Sequence, residues 1–127
     1  IRGTEQGTHC ARYAAIAANE LFGFNYTRAD AWDFAKANRS VWHTKNKGDD
    51  TSYRQRLKPG QILGIRNPTS DFKKKGEYTH LALYLGTQNG KPIIMHQVGK
   101  ENFLETLDEL FQRKKGWYGV ELIEPKN

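Results

Sequence analysis

The chain is poor in cysteine, methionine and proline, with one, one and four of each in 127 residues. A single thiol excludes any intramolecular disulfide, so the cysteine count fixes no redox compartment. No apolar run is long enough to span a bilayer. Repeats, low-complexity segments and Pro/Gly-rich linkers are all missing, and the length suits one catalytic-sized domain over residues 1–127 with its own core. A chain beginning at Ile1 reads as a processed product or an excised domain, with any signal peptide out of view.

Acidic residues are also in short supply. Asp and Glu number 14 against 20 Lys and Arg, a net charge of +6. That balance favours an anionic partner: nucleic acid, anionic lipid or an acidic cell-wall polymer. The cations are scattered, and the short runs Lys73-Lys74-Lys75 and Arg113-Lys114-Lys115 read as solvated loops. No motif with a known nucleic-acid docking geometry is present, so nucleic acid is not the expected partner.

The one cysteine lies in Gly7-Thr8-His9-Cys10-Ala11-Arg12-Tyr13-Ala14-Ala15-Ile16. Thr8 can cap a helix there, Cys10 falls in its first turn, and Gly23 is a stop signal. Cys10, Ala14, Ala17 and Leu21 share one face at helical spacing. A thiol at a helix start sits at the positive end of the macrodipole, and a nearby imidazolium lowers its pKa further, towards the nucleophilic thiolate. On its own, a cysteine in an alanine-rich helix is more often a small buried hydrophobe.

A second helix is expected over roughly Ala29 to Ala37, with Trp32, Phe34 and Ala35 as apolar members. Arg39 to Ser52 reads as a long loop holding Trp42 and His43. After the turn Leu57-Lys58-Pro59-Gly60, strands are expected at Gln61 to Ile65, Tyr78 to Leu85, Ile93 to Val98 and Trp117 to Ile123. Phe103, Leu104, Leu107, Leu110 and Phe111 have the spacing of a short amphipathic helix. Helices first and then a strand meander with one late helix make an α+β pattern.

A cysteine hydrolase needs a thiol, an imidazole to move its proton and a group to orient the imidazole. Of the four histidines, His9 neighbours Cys10, but adjacent helix residues diverge by about 100°. His43 lies in the loop, while His80 and His96 lie on adjacent strands of a hairpin. His80 alternates with the leucines and shares its face with Ala82 and Tyr84, which suits a cleft. An odd-length loop between the strands places His96 beside His80. A two-residue Asn89-Gly90 turn places Gln97 there instead. Either side chain could orient an imidazole.

In order along the chain, these pieces resemble the NlpC-type peptidases, papain-like cysteine peptidases and amidases of bacterial cell walls. Cys10 opens an alanine-rich helix. Leu57-Lys58-Pro59-Gly60-Gln61-Ile62 resembles the family's L-x-P-G-D-L turn. Tyr78-Thr79-His80-Leu81-Ala82-Leu83-Tyr84-Leu85-Gly86 resembles its S/T-H-V-x-I-Y-L-G strand, and Ile93-Ile94-Met95-His96 the next strand, which ends in a third polar residue. There are departures. The usual D-C-S-G is Thr-His-Cys-Ala-Arg here, no W-G-G approach or upstream tyrosine is recognisable in Ile1 to Gly7, and Gln61 replaces the usual Asp. A divergent member, or a neighbour such as a CHAP-type amidase or a secreted amidase effector, fits that mixture.

The resemblance implies an α+β papain-like fold with N-terminal helices packed on an antiparallel sheet. It implies Cys10 as nucleophile, His80 as base and His96 as orienting residue, with Gln97 the alternative third residue. The backbone N–H of Cys10 would form part of an oxyanion hole, with Gln6 or His9 as second donor. Trp42 and Tyr84 are candidates for the substrate cleft. The implied substrate is peptidoglycan or its stem peptides, cut by a monomer that is secreted, periplasmic or wall-associated. It would need no metal or cofactor and could meet an inhibitor or immunity protein. A zinc site is disfavoured by the lone thiol and the lack of a close His pair. A same-fold acyltransferase would use the same triad. A non-catalytic basic module binding an anionic polymer would account for the charge and for Trp32, Trp42 and Trp117 instead.

Overall fold

The computed structural model describes residues 9–31, 33–44, 51–66, 78–113, 115 and 118–126. The alanine-rich segment forms helix α1, His9–Phe22. It ends at Gly23, whose φ of 66° is the left-handed conformation that closes a helix at low cost. Thr8, the expected cap, lies outside the described residues. Ala11, Ala14, Ala15, Ala17 and Ala18 are all fully buried, whereas Leu21 is 58% exposed. The buried stripe is therefore centred one position beyond Cys10 and does not include Leu21. Its short side chains bring the helix axis close to the sheet.

The other elements are one-turn helix α2 (Phe34–Ala37), strand β1 (Arg39–His43), a 3-10 turn at Ser52–Arg56, β2 (Ile62–Arg66), β3 (Tyr78–Gln88), β4 (Lys91–Val98), β5 (Glu101–Thr106), α3 (Leu107–Arg113) and β6 (Tyr118–Glu124). The strands form one antiparallel six-stranded sheet in the order β1-β6-β2-β3-β4-β5. β2 is buried throughout, which accounts for apolar residues on both of its faces, at Ile62, Leu63 and Ile65. One face carries Ile62, Leu81, Leu83 and Ile123 against the alanines of α1. The opposite face carries Leu63, Ile65, Ala82, Tyr84, Ile94, Val120 and Leu122 against Leu107 and Leu110 of α3 and against Tyr53. Each fully buried Leu or Ile contributes roughly 1.5–3 kcal/mol. Tyr26 ties the two ends of the chain together. Its hydroxyl lies 2.7 Å from the Gly60 carbonyl and 2.8 Å from the Ile123 carbonyl, sharing one hydrogen between them. Its backbone N–H donates to Asn19 Oδ1 at 2.8 Å.

This architecture overturns the expected α+β papain-like fold with N-terminal helices on a sheet. The fold is β-rich, and α1, with 14 residues, is the one described α-helix of more than two turns. Three local differences produce the shift. The second helix is reduced to the single turn Phe34–Ala37. The expected loop supplies strand β1, because Ser40-Val41-Trp42-His43 finds a partner in β6, 70 and more residues on. Such a mostly exposed edge strand shows no alternation in its sequence. The expected helix through Phe103 and Leu104 is β5 followed by α3. Its 3/4 spacing is accidental, since Leu104 is 67% exposed, and the Gly99 turn folds β5 back onto β4. No helix among the described residues is long and apolar enough to cross a membrane.

Candidate active site

His80 and His96 meet on the α3 side of the sheet. Their rings are perpendicular with centroids 5.0 Å apart, and His80 Nε2 lies 2.9 Å from His96 Nδ1. Both are shielded, at 3% and 0% exposure. The register that joins them has two causes. Asn89 and Gly90, with φ of 53° and 76°, make the two-residue turn that pairs Gln88 with Lys91. Continued without interruption, that pairing would set Gln97 opposite Ala82. A β-bulge between Tyr84 and Gly86 takes up one extra residue, so Ala82 faces His96. Gly86 adopts a φ of 145°, which a side chain would resist. From sequence alone, a two-residue turn implies Gln97 and an odd loop implies His96. The structure combines the two-residue turn with His96, because the bulge resets the register. Gln97 is buried on the other face and pairs in the ladder with Asn102.

Two further side chains complete the constellation. Glu105 on β5 accepts from His96 Nε2 at 2.6 Å, and it is 8% exposed. Arg113, at the end of α3, donates from Nε to both Glu105 oxygens at 2.9 Å. Its guanidinium lies 3.8 Å above the Phe103 ring, which also flanks His96. Thr106 and Glu109 fix the junction that brings Arg113 round. Thr106 N–H donates to Glu109 Oε1 at 2.9 Å, and Glu109 N–H donates to Thr106 Oγ1 at 3.1 Å. This is a capping box. Hydrogen bonds from the Thr106 backbone and hydroxyl hold the exposed Glu109 carboxyl below its usual pKa.

Glu105 and Arg113 are hidden in the sequence because the apolar spacing from Phe103 to Phe111 is that of a helix. One signal could have exposed them. Thr106-Leu107-Asp108-Glu109 is itself a capping-box sequence. It starts the helix at Leu107 and leaves Glu101–Thr106 to be read at strand period, with Phe103 and Glu105 on one face.

Cys10 lies in the first turn of α1 and is half-buried. The helix packs on β3 and β4, the two strands that carry the imidazoles. Its alanines rest on the Leu81 and Leu83 face, whereas alternation gives His80 the face of Ala82 and Tyr84. Cys10 precedes that alanine stripe, at the tip of the helix. Gln6 and the His9 side chain lie outside the described residues, as do Trp32 and Trp117. Tyr84 is 4% exposed within the α3-side core, with its hydroxyl 2.6 Å from Thr87 Oγ1. Trp42 is on β1, three strands from β3 and hence roughly 14 Å away across the sheet. There it packs near Tyr53, and Arg56 lies over its ring. Neither aromatic lines the histidine pair through any described contact. His43 is exposed, with Nδ1 3.1 Å from the Thr44 carbonyl. Gln61, at the family's Asp position, accepts from the Lys58 N–H and donates to Glu124, both at 2.9 Å, which ties the turn to β6. Among the described residues no three His, Cys, Asp or Glu side chains converge as a metal site. No protein-family model, curated protein or solved structure matches the chain.

Proposed function

We propose that the chain is a cysteine hydrolase that cleaves an amide bond in peptidoglycan or its stem peptides. The observation that carries this reading is the buried 2.9 Å contact between His80 and His96, on the strands against which the Cys10 helix packs. A pair of imidazoles buried edge to face inside a sheet carries a desolvation cost that apolar side chains would not, and its presence there fits a proton-moving role. The substrate class comes from the resemblance of the motif segments, and the basic surface suits an anionic wall polymer. Action would then be outside the cytoplasm, in the periplasm or wall.

Cys10 thiolate attacks the amide carbonyl, and the oxyanion is met by the Cys10 backbone N–H at the start of α1. His80 gives its proton to the leaving amine, which departs as the thioester forms. His80 then takes a proton from water, the resulting hydroxide attacks the thioester, and Cys10 is released. His96 orients His80 throughout. The reading requires the thiol, at the tip of α1, to reach His80 past the end of the helix–sheet contact.

The test is digestion of sacculi from several bacteria, with products read by mass spectrometry against Cys10→Ala and His80→Ala. New amines with intact sugar linkages, lost in both variants, are expected, with His80→Ala costing roughly 10²–10⁴-fold. A product joined to a non-water acceptor would make the chain an acyltransferase. Binding to the polymer with no products from any wall type would overturn the hydrolase and leave a basic binding module.

A further inference from the structure

We infer that Glu105, held by Arg113, is a positioning residue that sets the protonation pattern of both buried imidazoles and so makes His80 Nδ1 the basic atom of the site. Its catalytic meaning rests on the hydrolase reading above, but the pattern itself does not. The chain of contacts runs Arg113 to Glu105 to His96 to His80, across α3, β5, β4 and β3.

Each link has a direction. A guanidinium only donates, so Arg113 fixes Glu105 as acceptor. A carboxylate accepts, so His96 must present Nε2–H to Glu105 across the 2.6 Å contact. A neutral His96 that donates from Nε2 has its lone pair on Nδ1. His80 must therefore donate from Nε2 across 2.9 Å, which puts the lone pair of His80 on Nδ1. Two carboxylate oxygens and one guanidinium thus dictate the tautomer of a ring two residues removed from them. Phe103 flanks this row, with its ring under Arg113 and 5.6 Å from His96. The charged and titratable groups of the row are His80 on β3, His96 on β4, Glu105 on β5 and Arg113 on α3, one from each element.

Paired variants at Glu105 separate this role from simple packing. Glu105 Oε2 meets both Arg113 Nε and His96 Nε2, so the oxygen of Glu105→Gln placed there still accepts from both and keeps the tautomers. Glu105→Leu accepts from neither. Nothing then holds the proton on His96 Nε2, and the pair can take the reversed pattern, with Nδ1–H on both rings.

The experiment is long-range 1H–15N NMR on protein labelled at histidine, at a pH where both rings are neutral, with Cys10 alkylation by iodoacetamide run in parallel. Wild type should show protonated Nε2 and unprotonated Nδ1 at both His80 and His96. E105Q should keep this pattern. E105L should populate the reversed pattern at both rings, with Cys10 alkylation slowed as the thiol loses its base. Wild-type rings protonated on Nδ1, or tautomers unmoved in folded E105L, would overturn the inference. If E105L fails to fold, the wild-type spectrum decides alone. The stated tautomers together with a Cys10 no more reactive than a free thiol would overturn the hydrolase reading and uphold the positioning role.

Discussion

At the scale of single residues, the third member of the site and the Tyr26 clasp give separate tests. His96→Ala removes the group between His80 and Glu105, whereas Gln97→Ala changes a side chain on the opposite face. Loss of activity should be roughly 10²-fold for His96→Ala and small for Gln97→Ala, with thermal unfolding followed for both. An equal loss from both, at equal stability, would remove the distinction. Tyr26 is held above the ordinary phenol pKa, first by burial and then by the charge of Glu124. Its folded-state proton is therefore bound more tightly than in the unfolded chain. Stability from this group is complete below the free phenol value of about 10 and falls as pH rises beyond it, where only the unfolded chain ionises. Tyr26→Phe should cost about 1–3 kcal/mol at neutral pH and flatten the alkaline loss. Denaturant unfolding at several pH values checks both. The flattening should be partial, because burial also raises the pKa of Tyr13.

At the scale of elements, the bulge in β3 determines which side chain meets His80. Gly86→Val opposes the φ of 145° at the bulge and favours a ladder in which Leu85 pairs and the Asn89-Gly90 register runs on unbroken, turning Gln97 to the His80 face and His96 to the α1 face. The expected result is loss of the His80–His96 contact, seen as changed histidine NMR shifts, with the hairpin retained. This element also shows what could be read in advance. The alternation of Tyr78 to Leu85, the turn residues and the alanine helix each carry a local physical signal, and they were legible. The bulge was not, because its only trace is a glycine, Gly86, that also reads as the start of a turn. β1 and β5 were missed for related reasons. One is an exposed edge strand ordered by a distant partner, and the other borrows helical spacing from the helix that follows it. Glu105 went unseen with β5. The histidine pair could be proposed from sequence, but the acidic and basic groups behind it depended on a register that only tertiary pairing sets.

At the scale of the whole molecule, part of the excess positive charge is used internally. Arg113 pairs with Glu105, and Arg54 donates to Asp108 at 2.7 Å. The remaining cations make attraction to an anionic polymer a long-range effect. Association with sacculi should therefore weaken steadily between low and physiological salt, as the screening length falls from about 30 to about 8 Å. Cleavage of a small uncharged stem-peptide analogue should barely change over the same range. Sedimentation binding and product formation, measured side by side, separate the two. Salt-independent binding would remove charge from the account of partner choice.

The strand order has a consequence for how the protein is made. Of the described strands β6 is the last to leave the ribosome, yet it lies between β1 and β2. Until it arrives, β1 lacks its pairing among the described strands, β2 shows a bare edge, and the Tyr26 hydroxyl waits for the Ile123 carbonyl. The β3–β4–β5 meander is complete some residues earlier. During synthesis the imidazole row can therefore form on a nascent chain whose β2 edge is still bare, and the emergence of β6 covers that edge and joins β1 to the sheet.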